Sequence, residues 1–422
     1  MTEQMNVPDL RFGEFGGTLT TIPLEKLTTK ISDGIHSTPA YDNDGDYFFV
    51  NGNNLKNGVI QLDEKTKKVS AEEAKKHHKY IDEQTILMSI NGTIGNTAFY
   101  RGEPIMLGKS ASYINVAPLL ADKHFIFNYL QREATKYYFN TELTGSTIKN
   151  LSLKAIKNTP IASPTLPEQQ KIASFLSKVD EKIGLLSEKK DKLTEYKRGV
   201  MQQLFNGKWH EQDGQLTFAP PTLRFKADDG SEFPDWEEKT LGEVAQFSKG
   251  KGISKADIIE NGQVSCVRYG ELYTTYSEVI DTVYSKTNQP KDALVLSRAN
   301  DVIIPSSGEA ALDIATASCV LHSGIALSGD LTIIRSQIDG VFLSFQLNTV
   351  RKHELASIAQ GSSVIHLYSS HLKNVTVSIP DIQEQKKITK FLSAIDKKIE
   401  LINSELNKAK EWKKGLLQQM FV

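Results

Sequence analysis

One segment of this chain is written twice, and that repeat limits the possible folds more than any other feature. "EQQKIASFLSKVDEKI" begins at Glu168, and "EQKKITKFLSAIDKKI" begins at Glu384, 216 residues later. Residues 168–205 align on 384–421 without a gap, about half of the positions are identical, and the copies finish alike as "KRGVMQQLF" and "KKGLLQQMF". Upstream, "GSTIKNLSLKAIKN" from Gly145 matches "GSSVIHLYSSHLKN" from Gly361 at the same offset. Nearer the starts, "PDLRF" at Pro8 echoes "PTLRF" at Pro221, and "LEKLTTKISDG" at Leu24 echoes "LGEVAQFSKGKG" at Leu241. Between these landmarks the halves differ. Repeats set the architecture before any local reading does. The order here is variable unit, shared segment, variable unit, shared segment.

The shared segment has helical spacing. In the second copy Ile388, Leu392, Ile395, Ile399, Ile402, Leu406, Ala409, Leu416 and Met420 fall at alternating steps of four and three, interrupted at Lys413. That is a heptad seam. The first copy carries Ile172, Leu176, Val179, Ile183, Leu186, Leu193, Val200 and Leu204. Thr165 and Asp381 stand three residues before Glu168 and Glu384, which predicts a capping box at each start. A rod of about 40 residues spans roughly 60 Å, and an apolar seam of that length needs a partner. The other copy is the nearest one. The duplication also retains polar residues that apolar packing alone would not hold: Lys171/Lys387, Asp180/Asp396, Lys182/Lys398, Lys197/Lys413 and Gln202/Gln418. These ten are candidates for contact with a partner subunit.

The variable units read as mixed α/β. "YFFVNGNNLKNGVIQL" from Tyr47 predicts strand, turn, strand, and "ILMSINGTIGNTAFY" from Ile86 predicts two strands around a Gly-Asn turn. "DVIIPSSGEAALDIATASCVL" from Asp301 stands in the matching place, and "SGDLTIIRS" from Ser328 is a further strand. "FIFNYLQREATKYYFN" and "VFLSFQLNTVRKHELASIA" read as helices. "NGKWHEQDGQLTFAPP", residues 206–221, reads as a connecting loop with a short strand near its end. The predicted division is 1–164, helix 165–205, linker 206–220, second unit 221–380 and helix 381–422.

Several chemistries find no residues to carry them. There is no Asn/Asp-Pro-Pro-aromatic motif, and "GKGISKAD" lacks the order of a phosphate-binding P-loop. The nine histidines form no metal-binding spacing, and Asp235 and Glu237 of "PDWEEK" are too close to be a nuclease pair. Cys266 and Cys319 are far apart, which fits a reducing compartment and excludes a disulfide framework. The net charge of −1 gives no global attraction to nucleic acid, so DNA binding would have to come from local patches. No apolar run reaches membrane-spanning length, and a cytoplasmic, soluble protein with no membrane partner is expected.

The pattern resembles the specificity subunit of Type I restriction-modification systems. The resemblance covers essentially the whole chain, and the two helix starts "LPEQQKIASFLSKVDEKI" and "IQEQKKITKFLSAIDKKI" carry it best. "ISDGIHSTP" at Ile31, "INGTIGN" at Ile90, "GKGISKADI" at Gly250, "VRYGELY" at Val267 and "IPSSGEA" at Ile304 are similar to family members as well. The resemblance implies an α+β fold of two mixed α/β target recognition domains separated by two long antiparallel coiled-coil helices, with internal pseudo-twofold symmetry. It implies a non-catalytic subunit with no cofactor of its own. It implies double-stranded DNA as ligand and two modification subunits using S-adenosylmethionine as partners. Restriction subunits using ATP and Mg are implied too.

Base readout needs polar side chains on loops that reach a groove, and phosphate contacts favour cations and glycine-rich turns. In the first unit the candidates are Lys30, His36, Ser37, Thr38, Asn51, Asn53, Asn54, Lys56, Asn91, Thr93, Lys109, Ser146, Thr147 and Lys149. In the second they are Lys249, Lys251, Ser254, Lys255, Arg268, Tyr269, Ser306, Ser307, Ser362, Ser363 and His366. Two other classes compete with DNA recognition: a coiled-coil scaffold that binds only proteins, and a fused methyltransferase-nuclease. Salt-dependent binding of one duplex separates the first from the leading reading.

Overall fold

The structure is a computed structural model, and the residues it describes are 7–145, 149–212 and 215–422. Both shared segments are long helices, Leu166–Phe205 and Ile382–Gln419. The chain forms two compact units. One comprises Met1–Glu188 with Asn403–Val422, and the other Lys189–Ile402. Each long helix therefore supplies one part to each unit. Asp180 meets Lys413, and Lys197 meets Asp396. Position rises along one helix as it falls along the other, so the two run antiparallel.

Most seam residues are buried as the heptad spacing predicts, with Ile183, Leu186, Leu193 and Ile399 only partly so. Ile172, Leu176 and Val179 join Leu416, Leu417, Met420 and Phe421 in the core of the first unit. Val200, Leu204 and Phe205 join Ile388, Leu392 and Ile395 in the core of the second. The interruption at Lys413 is filled by charge: its ammonium lies 2.7 Å from Asp180.

In the first unit, strand Ala111–Val116 sits between Thr28–Asp33 and Thr85–Ser89, and Thr97–Phe99 closes the four-stranded sheet. Helices Lys123–Leu130 and Glu133–Thr141 pack Phe125, Ile126, Tyr129 and Phe139 onto it. In the second unit the corresponding sheet has five strands, with Leu331–Ser336 between Ala245–Lys249 and Asp301–Pro305. Helix Gly340–Thr349 covers it and is buried on nearly every side.

Three local readings change in the structure. The Tyr47 segment is not one hairpin. Tyr47–Val50 pairs elsewhere, and the hairpin is Leu55–Lys56 against Val59–Ile60 around Asn57 and Gly58. Both turn residues have positive φ, 51° and 81°, the geometry an Asn-Gly pair adopts most easily. In the connector the expected strand near Gln215–Phe218 is present, as Gln215–Ala219, but it pairs antiparallel with a second strand, Lys208–Gln212, that the loop reading did not include. Finally, Glu168 and Glu384 do not serve as capping-box residues. Both are buried, and arginines bind their carboxylates. Arg11 grips Glu168 through two bonds of 2.7 and 2.8 Å, and Arg224 grips Glu384 at 3.1 and 2.8 Å. The "PxLRF" echo is therefore a latch on each helix start. Gln169 and Gln385 repeat the device by accepting from the backbone N–H of Asp122 and Asp339, the N-caps of the two covering helices.

Candidate nucleic-acid interface

In the first unit one end of the sheet gathers most of the candidate residues. Ser110 ties its loops together: its hydroxyl donates to Asn51 Oδ1 at 2.8 Å and accepts from Gly52 N, while Ile90 N donates to its carbonyl. Thr93 donates to Gly52 O, and Asn91 bridges Asn150. Ile35 bridges Gly108, which brings exposed His36, Ser37 and Thr38 beside exposed Lys109. Gly34 packs so tightly on Leu107 that a Cβ would lie 2.1 Å from the Leu107 carbonyl oxygen. That close approach is what holds the "DGIHSTP" loop.

The candidates then divide by what their side chains already do. Asn51 and Asn54 are committed to the loop, since Asn54 accepts from Asn51 N and donates to Gln61 O. His36 pairs with Asp33 at 2.8 Å. Asn53, Lys56, Lys109 and Lys149 are exposed. Lys30 is exposed on an edge strand opposite Asn115, three residues back from the gathered loops. Ser146 and Thr147 lie outside the described residues.

Asn53, Asn54 and Lys56 line a cleft of about 480 Å³ together with Tyr41, Gln61, Lys65 and Lys67. Lys67 holds its ammonium 4.2 Å from the centre of the half-exposed Tyr41 ring. Sequence reasoning missed these four residues. Lys65 and Lys67 belong to a lysine run after "QLDE" that is indistinguishable in sequence from an ordinary solvated turn, and Tyr41 lies 20 residues upstream of Gln61 with no local signal.

The second unit builds a comparable cluster from different residues. Gly250 N donates to Leu331 O, and Lys251 N donates to Leu327 O. Ser306 N donates to Asp330 O, Ser307 bridges His366, and Leu367 N donates to Ser306 O. Lys249, Lys251, Ser307 and His366 thus meet at one sheet end. His366 stacks on Tyr368, with ring centres 5.9 Å apart. Ser306 is buried and bonded to Thr332, which gives it a structural role. Ser254 is committed to Asp257, and Arg268 to Glu271. Tyr269 packs on the core beneath. Lys255, Ser362 and Ser363 are exposed on flanking loops.

Three buried polar atoms without a partner among the described residues fall at these clusters, Asn91 Oδ1 in the first unit and Ser328 Oγ and Arg268 Nε in the second. Unpaired buried polar atoms are rare and call for an explanation, such as a ligand or a water. The described residues include no group of His, Cys, Asp or Glu able to hold a metal ion. They also include no helix long and apolar enough to cross a membrane.

The retained helix residues divide as well. Lys197 binds Asp396 at 2.7 Å and Glu278 at 3.0 Å, and Lys413 binds Asp180. Burial pushes the Asp396 carboxyl upward from its ordinary pKa, against the pull of Lys197. Lys171 pairs with Glu14 and Lys387 with Asp228. All six have partners inside the chain, which explains their retention without a second protein. Lys182, Lys398, Gln202 and Gln418 are exposed. Two further retained positions were missed: Leu185 and Leu401, and Tyr196 and Trp412, are each related by the repeat and are half or more exposed. The seam reading passed over them because they sit off the heptad.

Comparison with known proteins follows the same division. The family model described as "Type I restriction modification DNA specificity domain" matches residues 22–195 and again 234–411. The Type I restriction enzyme MjaVIII specificity subunit of Methanocaldococcus jannaschii is 24% identical over 348 residues, covering 80% of this chain and 78% of that protein. The EcoBI specificity subunit of Escherichia coli is 21% identical over 344 residues, covering 77% and 69%. The crystal structure of the Type I restriction-modification system S subunit from M. genitalium superposes with a TM-score of 0.60 at 18% identity, covering 99% of each chain. A duplicated chain, matched twice by one family model and covered by a long helix pair in each unit, belongs to the DNA specificity subunits of Type I restriction-modification systems.

Proposed function

We propose that the two units each read one half of a split DNA target, and that the long helices fix the unread gap between the halves. Residues 1–164 and 221–380 act as the target recognition domains, 165–205 and 381–422 as the conserved helices, and 206–220 as the connector. The observation that carries this reading is the contrast within the repeat. The helix starts keep the same latch and the same glutamine anchor, while the loop clusters at the sheet ends are built mostly from different residues. Equal frames with unequal readers suit two unequal half-sites. Duplex DNA has a twofold symmetric backbone, so a chain with two equivalent frames can present both readers in matching orientation.

The chemistry then belongs to partner subunits. Two modification subunits carrying S-adenosylmethionine dock on the helices, and restriction subunits supply the ATP- and Mg-dependent steps. Leu185 with Trp412, and Leu401 with Tyr196, are the docking residues that best fit two copies of one partner. Aromatic anchors such as Trp412 and Tyr196 dominate such interfaces, with the leucines adding apolar area beside them. The test is to exchange residues 221–375 for those of another family member and map methylated adenines in cells. One half of the methylated site should change. A change in both halves, or in neither, overturns the modular reading.

A further inference from the structure

The first unit holds a second cleft, of about 740 Å³, between the long helices and the Asn57–Gly58 turn. Six cations line it, Arg101, Arg132, Lys136, Lys410, Lys413 and Lys414, against two carboxylates, Glu133 and Asp180. Both carboxylates are already occupied, by Lys136 at 3.1 Å and by Lys413 at 2.7 Å. Arg132 lies over the Tyr129 ring at 4.4 Å. Arg101, Lys410 and Lys414 are exposed, and none of their charged side-chain groups forms an ion pair among the described residues; the Glu103 carboxylate accepts the Arg101 backbone N–H at 2.7 Å. A chain of net charge −1 thus concentrates an excess of four positive charges on one cleft.

The repeat provides an internal control. At the equivalent positions of the second unit, Thr194 replaces Lys410 and Glu400 replaces Gly184, which lines the cleft in the first, while Arg198 keeps the charge of Lys414. There Lys197, the counterpart of Lys413, is held by two carboxylates, Asp396 and Glu278. The helix pair itself therefore does not require the cation excess. It belongs to the first unit.

We propose that this cleft is a sequence-independent clamp for the sugar-phosphate backbone of duplex DNA beside the half-site read by the first unit. The inference rests on the proposed function and adds an asymmetry to it. Lys410 and Lys414 lie one helical turn apart on one face, and Arg101 faces them from the loop after strand Thr97–Phe99. The Asn57–Gly58 turn forms a wall of this cleft, while the exposed Asn53 and Lys56, just before it in the chain, line the 480 Å³ cleft. One hairpin therefore separates the base-reading candidates from the unpaired cations. An acidic protein segment would need the charge but not that continuity, so DNA is the occupant.

The test uses the full chain assembled with its modification subunits, and compares wild type with Arg101→Gln/Lys410→Gln/Lys414→Gln. The probes are the duplex identified by methylome mapping and an unrelated duplex of equal length. Each phosphate contact contributes about 0.9 to the slope of log affinity against log salt, so the triple variant should lose about 2–3 from that slope. Affinity at 0.15 M salt should fall on the order of 100-fold on both duplexes, with the methylated sequence unchanged. The Lys410→Arg/Lys414→Arg variant should keep the wild-type slope. An unchanged slope in an intact triple-variant complex overturns the clamp. Loss of subunit assembly with no change in slope also overturns it, by assigning the cleft to a protein. A wild-type complex that binds no duplex in a salt-dependent way would instead defeat the proposed function.

Discussion

Arg224→Ala should destabilise the second unit by about 3 kcal/mol, and the reason is the carboxylate it leaves behind. Glu384 has no accessible surface, and Arg224 binds it through two bonds of 3.1 and 2.8 Å. Removing one partner of a buried pair costs about 3–5 kcal/mol, because the remaining charge is neither solvated nor matched. The lower end applies here. The Arg224 side chain is 14% exposed, and Trp236 Nε1 still donates to Glu384 at 3.2 Å. For a unit of this size each kcal/mol moves the thermal midpoint by roughly 2–4 °C, so a fall of roughly 6–12 °C is expected by calorimetry. The decisive variant is Arg224→Ala/Glu384→Gln, which removes the stranded charge and should recover at least half of the loss. Recovery stays incomplete because Arg224 also donates to the carbonyls of Phe233 and Pro234. If the double variant is no more stable than Arg224→Ala, the buried carboxylate is not the source of the cost and the latch argument fails.

Two further outcomes bear on function. Inserting four residues after Lys189 and after Glu405, its equivalent in the second helix, adds about one turn and roughly 6 Å to the helix pair. The gap in the methylated site should then widen by one or two base pairs, and an unchanged gap in an active variant would place the spacing elsewhere. Trp412→Ala and Tyr196→Ala should each weaken docking of one modification subunit by roughly tenfold or more, the cost of losing an aromatic anchor. Native mass spectrometry of the assembled complex reads this directly, and full occupancy of both positions in the double variant would exclude these residues as anchors.

The sequence alone determined the parts of this protein that depend on period. Heptad spacing set both long helices and which of their faces is buried, because an apolar stripe at that repeat has no other low-energy arrangement. Continuous apolar runs set the strands Thr85–Ser89, Asp301–Pro305 and Leu331–Ser336, while Ala111–Val116, the middle strand of the first sheet, was not read from the sequence; the repeat itself showed that two equivalent frames carry unequal loops. Partner choice was not legible in the same way. Glu168 reads as a cap in its local context, but its carboxylate is bound by a residue 157 positions away. Lys413 reads as a break in the apolar seam and Asp180 as an outer polar position, yet they meet across 233 residues. Asn51 and Asn53 look interchangeable in "NGNN", and only the position of Ser110 makes the first a strut and leaves the second free to face a ligand. Tyr41, Gln61, Lys65 and Lys67 become one cleft for the same reason: distant segments are brought together by the sheet. Periodicity is a property of neighbours along the chain, whereas a binding surface is a property of neighbours in space, and only tertiary packing decides which those are.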